Sequence, residues 1–101
     1  MYQKKEIHAG LEEMKHVPNA LLVDVRNPAE YNGGHIPGSM NFAMSWILKE
    51  AEEEFPDKSR PLYVYCQSGA RSARAGKLLD LMGYESVTDL GGICDYTGPR
   101  E

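Results

Sequence analysis

Apolar residues along this chain fall into two patterns that alternate with each other. Ala20-Leu21-Leu22-Val23-Asp24-Val25 and Leu62-Tyr63-Val64-Tyr65 are nearly unbroken apolar runs, as expected of strands buried on both faces. Around them, apolar positions recur at helical spacing. Leu11 and Met14 share one face of residues 8–17, with Glu12, Glu13 and Lys15 outside, and Pro18-Asn19 ends the segment. Ile47, Leu48, Ala51 and Phe55 line one face of a second helix that Ser45 is placed to cap, while Lys49, Glu50, Glu52, Glu53 and Glu54 fall largely on the other. Ala75, Leu78, Leu79 and Met82 follow the i, i+3, i+4, i+7 pattern, which predicts a helix over about 71–82, stopped by Gly83. Residues 2–7 and 86–90 read as short strands, the latter broken by Gly91-Gly92. Residues 26–41 are rich in turn signals, and Asn27 can cap a single helical turn with Pro28 at its first position.

Strands alternating with helices predict an α/β layer fold with a central, mostly parallel sheet flanked by helices. The 101 residues suffice for a single domain over residues 1–101. In open sheets of this class, ligands bind beyond the carboxyl ends of the strands. Cys66 and Arg26 both fall at such ends.

Composition narrows the function classes. With 42% apolar and 26% charged residues, the chain has the make-up of an ordinary globular protein. Its net charge of −4 argues against nucleic acid or an anionic membrane as the main partner. No stretch approaches the roughly 20 apolar residues of a membrane span. No apolar core follows the basic residues near the start, so no signal peptide is expected, and the cytoplasm is the expected compartment. The two cysteines and three histidines show no paired ligand spacing, so neither metal nor cofactor is expected.

The segment Cys66-Gln67-Ser68-Gly69-Ala70-Arg71-Ser72 carries the candidate chemistry. It joins an apolar run to a helix, which sets the thiol before the turn amides and the positive end of a helix dipole. Both stabilise a thiolate, the nucleophilic form of cysteine. Gly69 lets the backbone curl with positive φ, so that successive N–H groups form an anion-binding nest. Ser68 and Ser72 add hydroxyl donors, and Arg71 and Arg74 add positive charge. The alternative is an inert cysteine in a glycine-containing turn.

These residues resemble the active-site loop of the rhodanese (thiosulfate sulfurtransferase) family in its single-domain form. The resemblance extends to Leu22-Val23-Asp24-Val25-Arg26 with Glu30-Tyr31, to Gly34-His35-Ile36-Pro37-Gly38-Ser39 with Asn41, and to Gly83-Tyr84, Val87 and Leu90-Gly91-Gly92-Ile93, over about residues 7–96. It implies a three-layer rhodanese-like fold. It implies also a two-step sulfur transfer, in which Cys66 takes the outer sulfur of a donor such as thiosulfate and holds it as a persulfide. An acceptor then removes it: cyanide, a thiol or a thioredoxin-like protein. The loop from Gln67 to Ser72 would stabilise the anionic sulfur, and Arg71 would help hold a small anionic donor. The spacing Cys66-x4-Arg71 is one residue shorter than the C-x5-R loop of a related cysteine phosphatase, and Ser72 stands where that arginine would be. Phosphatase or arsenate reductase activity therefore ranks below sulfur transfer. A carrier or docking module without turnover is the competing reading from another class.

The supporting residues have their own expectations. Asp24 is expected to bond backbone or pair with a basic group near the loop. Arg26 and Glu30 are expected to form an ion pair that shapes the first loop. His35, in a Gly-His-Ile-Pro-Gly turn, is assigned a structural hydrogen bond rather than the role of base, because an ionised thiol needs none. Cys94 reads as a small structural side chain, with a resolving thiol as the alternative. Tyr96 stands where the family commonly has tryptophan, and its hydroxyl needs a partner or water.

Overall fold

In the computed structural model, which describes residues 1–101, the two apolar runs become neighbouring central strands, Leu21–Asp24 (β2) and Leu62–Cys66 (β4). Tyr2–Lys4 (β1), Met40–Asn41 (β3) and Val87–Gly92 (β5) complete a five-stranded sheet in the order β1-β5-β4-β2-β3. All four pairings are parallel. Helices Ile7–Met14 (α1), Pro28–Asn32 (α2), Ile47–Glu54 (α3) and Ala70–Leu81 (α4) connect the strands.

Side chains alternate across the sheet with the two-residue period of extended chain, and each face has its own core. Val23, Val25, Val64 and Cys66 pack with Ile47, Ala51, Phe55, Ala75 and Leu79, under α3 and α4. Leu22, Tyr63 and Tyr65 pack with Ile7, Ile36, Leu90 and Ile93, on the side of α1. Because every residue of β4 is buried, the strand reads as an unbroken apolar run and not as an alternation. The result is the three-layer α/β architecture expected.

Several boundaries differ from the sequence reading, each for a local reason. β1 stops at Lys4 because the carboxylate of Glu6 accepts the amides of His8 and Ala9, both at 3.0 Å, and so caps α1 one residue early. Ser45 does not cap α3: it lies inside a 3-10 turn, Met44–Trp46, that leads directly into the helix. β3 hides in the turn-rich segment because two residues are too short to show a period. β5 runs through Gly91-Gly92 rather than ending at Leu90. Asn27 and Pro28 open α2 as expected, with Asn27 and Glu30 closing a reciprocal capping box.

Tyr84, with 1% exposure, donates its hydroxyl to the carbonyls of Ala51 (2.9 Å) and Phe55 (2.7 Å) at the end of α3. Tyr84→Phe leaves those buried acceptors without it. The expected loss is about 1–2 kcal/mol of unfolding free energy, read by urea denaturation, with Cys66 reactivity unchanged.

Candidate active site

Cys66 is the last residue of β4 and is almost wholly buried. The amide N–H of Gly69 donates to its Sγ at 2.9 Å. Gly69 adopts φ +104, a left-handed conformation that glycine takes without strain. That turn aims its N–H back at the sulfur and starts α4 at the next residue. Ser72, in the first turn of α4, places Oγ 3.5 Å from Sγ and within hydrogen-bond reach of the carbonyls of Gly69 (3.1 Å) and Gly91 (3.3 Å). A negative charge on Sγ therefore faces an amide N–H, a rotatable hydroxyl and the positive end of a twelve-residue helix.

The far wall of the loop is the end of β5. Val64 pairs with Asp89 and Cys66 with Gly92, so the partner strand carries an extra residue across this step and bulges. Gly91 sits in the bulge at φ +78. A Cβ on Gly92 would lie 2.4 Å from Gln67 O and 2.7 Å from Ser68 Cα, so only glycine lets strand and loop approach this closely. Just beyond it, the Cys94 N–H donates to Gln67 O at 3.1 Å. The sequence reading used Gly91-Gly92 as a strand break and missed this role. The available signal was paired glycine at a strand end, which marks close backbone approach.

Charged residues brace the loop, but not in the pairing expected. Arg26 does not pair with Glu30. It lies buried against Asp24, with Nη2 on Oδ2 at 2.8 Å and Nε 3.1 Å from both carboxylate oxygens. Its other donors reach Gln67 Oε1 at 3.2 Å and Gly34 O at 2.7 Å. Asp24 Oδ1 also accepts the Arg26 amide at 2.9 Å. The reason is geometric: Asp24 sits two residues back at the same strand end, while the Asn27 cap turns Glu30 toward α4. Glu30 instead meets Arg71 in a fork, Nη1 to Oε1 at 2.6 Å and Nη2 to Oε2 at 2.9 Å. The Arg71 hydrogen bond holds the Glu30 carboxyl down at about 2 against the opposing effect of burial, with the Asn27 amide adding to the lowering. Two of the five guanidinium donors of Arg71 are thus taken, and the group is half-buried rather than free.

Gln67, Ser68 and Ala70 are exposed on the outside of the loop. His35 bonds the Tyr31 carbonyl through Nδ1 at 2.9 Å and stacks on the Tyr31 ring at 3.8 Å. Its backbone pairs with Glu101. Cys94 is exposed and, like Cys66, free. The Tyr96 hydroxyl finds the Pro99 carbonyl at 3.1 Å. Two openings flank the loop. One is a cleft of about 160 Å³ lined by Val25, Asn27, Ala43, Met44, Ser45 and Arg71. The other is a groove of about 630 Å³ that includes Lys4, Lys5, Ser68, Gly69, Gly92 and Asp95.

Residues 6–97 match the model of the rhodanese-like domain. The chain is 33% identical over 78 residues to thiosulfate sulfurtransferase PspE of Escherichia coli, covering 77% of this chain and 75% of that protein. It is 38% identical over 85 residues to the thiosulfate:glutathione sulfurtransferase of Saccharomyces cerevisiae, covering 73% of this chain and 61% of that one, under two thirds of its length. Among solved structures, the rhodanese-like domain of an Anabaena sp. protein superposes with a TM-score of 0.84 at 30% identity, over 100% of this chain and 80% of that one.

The Glu30–Arg71 fork sets a pH dependence. A carboxyl depressed from 4.5 to about 2 contributes stability that is fully present above 4.5 and is lost as pH falls toward 2. Glu30→Gln is therefore expected to be less stable than the parent at neutral pH, with the gap narrowing between pH 4.5 and 2. Urea midpoints across that range check it.

Proposed function

The chain belongs to the rhodanese-like family, and we propose that it is a sulfurtransferase that relays one sulfane sulfur through a persulfide on Cys66. The observation that carries this reading is the Gly69 amide on Sγ at 2.9 Å, inside a loop with four residues between Cys66 and Arg71. Such a pocket suits a small, polarisable, anionic sulfur.

In the first step, the Cys66 thiolate attacks the outer sulfur of a donor such as thiosulfate. The sulfur–sulfur bond of the donor breaks, its electron pair leaves with sulfite, and the outer sulfur stays on Sγ as an anionic persulfide. The charge then sits on the outer sulfur, beyond Sγ, where the start of α4 and the fixed loop dipoles would stabilise it without solvent reorganisation. In the second step, an acceptor nucleophile, cyanide or a thiol, attacks the outer sulfur, and the thiolate is regenerated. Arg71, anchored by Glu30, offers its remaining donors to the oxyanion end of the donor. A thioredoxin-like dithiol protein is the macromolecular acceptor that suits the same chemistry. Two free cysteines suit a reducing compartment, and we place the protein in the cytoplasm.

Phosphate cradling fits less well. The position that would need a guanidinium holds Ser72, which is fully buried with its single hydroxyl proton within reach of two carbonyls. Nothing there can form the bidentate clamp a phosphate takes.

Incubation with thiosulfate is expected to add one sulfur atom to the intact mass of the parent and of Cys94→Ser, and none to Cys66→Ser. An adduct that survives Cys66→Ser contradicts the mechanism. An adduct that forms but passes to no acceptor, whether cyanide, glutathione or thioredoxin, identifies a carrier.

A further inference from the structure

Asp89 lies in β5, fully buried, and its carboxylate faces a hydroxyl and an amide: Tyr2 Oη donates to Oδ2 and the Gly91 N–H to Oδ1, each at 2.8 Å. A buried carboxylate is costly unless its oxygens are well bonded, and a β-branched apolar residue would fill a central strand more simply. Its bond to Gly91 leads to the sulfur. Gly91 is the bulge residue at φ +78. Its carbonyl accepts from Ser72 Oγ, the hydroxyl 3.5 Å from Sγ. Its Cα lies 3.6 Å from where a Cβ on Gly69 would stand, so the Gly91 and Gly69 backbones pack face to face. The two groups that touch Sγ, the Gly69 amide and the Ser72 hydroxyl, thus both rest on the Gly91 peptide.

We propose that Asp89 is a positioning residue for the Cys66 thiol, acting through the Gly91 peptide that seats the Gly69 amide and the Ser72 hydroxyl against Sγ. The Tyr2 hydroxyl, delivered by β1, holds the second carboxylate oxygen; burial and then the Asp89 bond push it up to about 12, so it remains a donor throughout the working range. The charged side chains around the loop are Arg71 on α4, forked to Glu30, and Arg26, paired with Asp24 and reaching Gln67. The inference rests on Cys66 being the reacting thiol, as in the proposed function, and is independent of the donor.

The test is the pH profile of Cys66 alkylation by iodoacetamide, measured in a Cys94→Ser background so that one thiol reacts. Asp89→Ala is expected to move the midpoint up by about one pH unit, tenfold in the ionisation constant of the thiol. Asp89→Asn is expected to stay with the parent, because its amide oxygen still accepts the Gly91 N–H and its NH2 can donate to Tyr2 Oη. A carboxylate acting by charge alone gives the opposite sign, since removing a negative charge eases ionisation and moves both variants down. A merely structural residue lowers thermal stability and leaves the midpoint in place. Either result overturns the proposal. If Asp89→Ala does not fold, Gly91→Ala decides: its methyl meets nothing within 4 Å, but an L-residue disfavours φ +78. An upward shift there supports the proposal and an unchanged midpoint overturns it. If thiosulfate leaves no adduct on the parent, the sulfur-transfer reading fails, while alkylation still decides the role of Asp89.

Discussion

The loop after Cys66 depends on one close approach, the packing of Gly92 against the backbone of Gln67 and Ser68, where no Cβ fits. A parallel sheet leaves the carboxyl ends of its strands open, and the loop after β4 must be held by something other than its own chain. The β5 bulge supplies that hold. It advances β5 by one residue relative to β4, brings two glycines beside the loop, and turns the Gly91 carbonyl toward Ser72. With the Cys94 amide on Gln67 O as a second tie, the loop is fixed from the side of β5. A preformed loop meets charge on sulfur without rearranging, which is what gives fixed dipoles their value in catalysis.

Electrostatic bracing adds to this from the β2 side. Asp24 and Arg26 form a buried pair whose remaining donors are used on Gln67 and Gly34, so few polar atoms are left unsatisfied on desolvation. Breaking such a pair strands a buried charge, which makes the network rigid. Glu30 and Arg71 form the more exposed pair. That fork fixes the rotamer of Arg71 and links the first loop to the start of α4. Arg71 is therefore held already oriented, with fewer free donors but less rotamer entropy to lose on bonding an anion.

Much of this was legible in the sequence. The runs 20–25 and 62–65 announce buried parallel strands, and Cys66 at the end of one, followed by Gly69 and a helix, announces a thiol facing a turn amide and a helix start, although of the successive N–H groups expected only that of Gly69 bonds Sγ. What the sequence withheld was partner choice between groups distant along the chain. Arg26, Asp24, Glu30 and Arg71 allow more than one pairing, and spacing alone favoured Arg26 with Glu30. The Asn27 capping box overrides that by turning Glu30 away. The glycines of β5 carried a signal that reads equally as a stop or as close approach, and only the position of Gln67 across the gap decides which. β3 was invisible because a two-residue strand owes its existence to its neighbour, not to its own pattern.

The central claim is that Cys66 holds the sulfur covalently between two separable half-reactions. Rapid-quench measurement of sulfite released from thiosulfate in the absence of any acceptor tests it most directly. The account predicts a burst of one sulfite per chain that then stops, and no burst from a chain whose Cys66 has been alkylated. Sulfite that appears only once an acceptor is added would mean a single concerted transfer, and would contradict it.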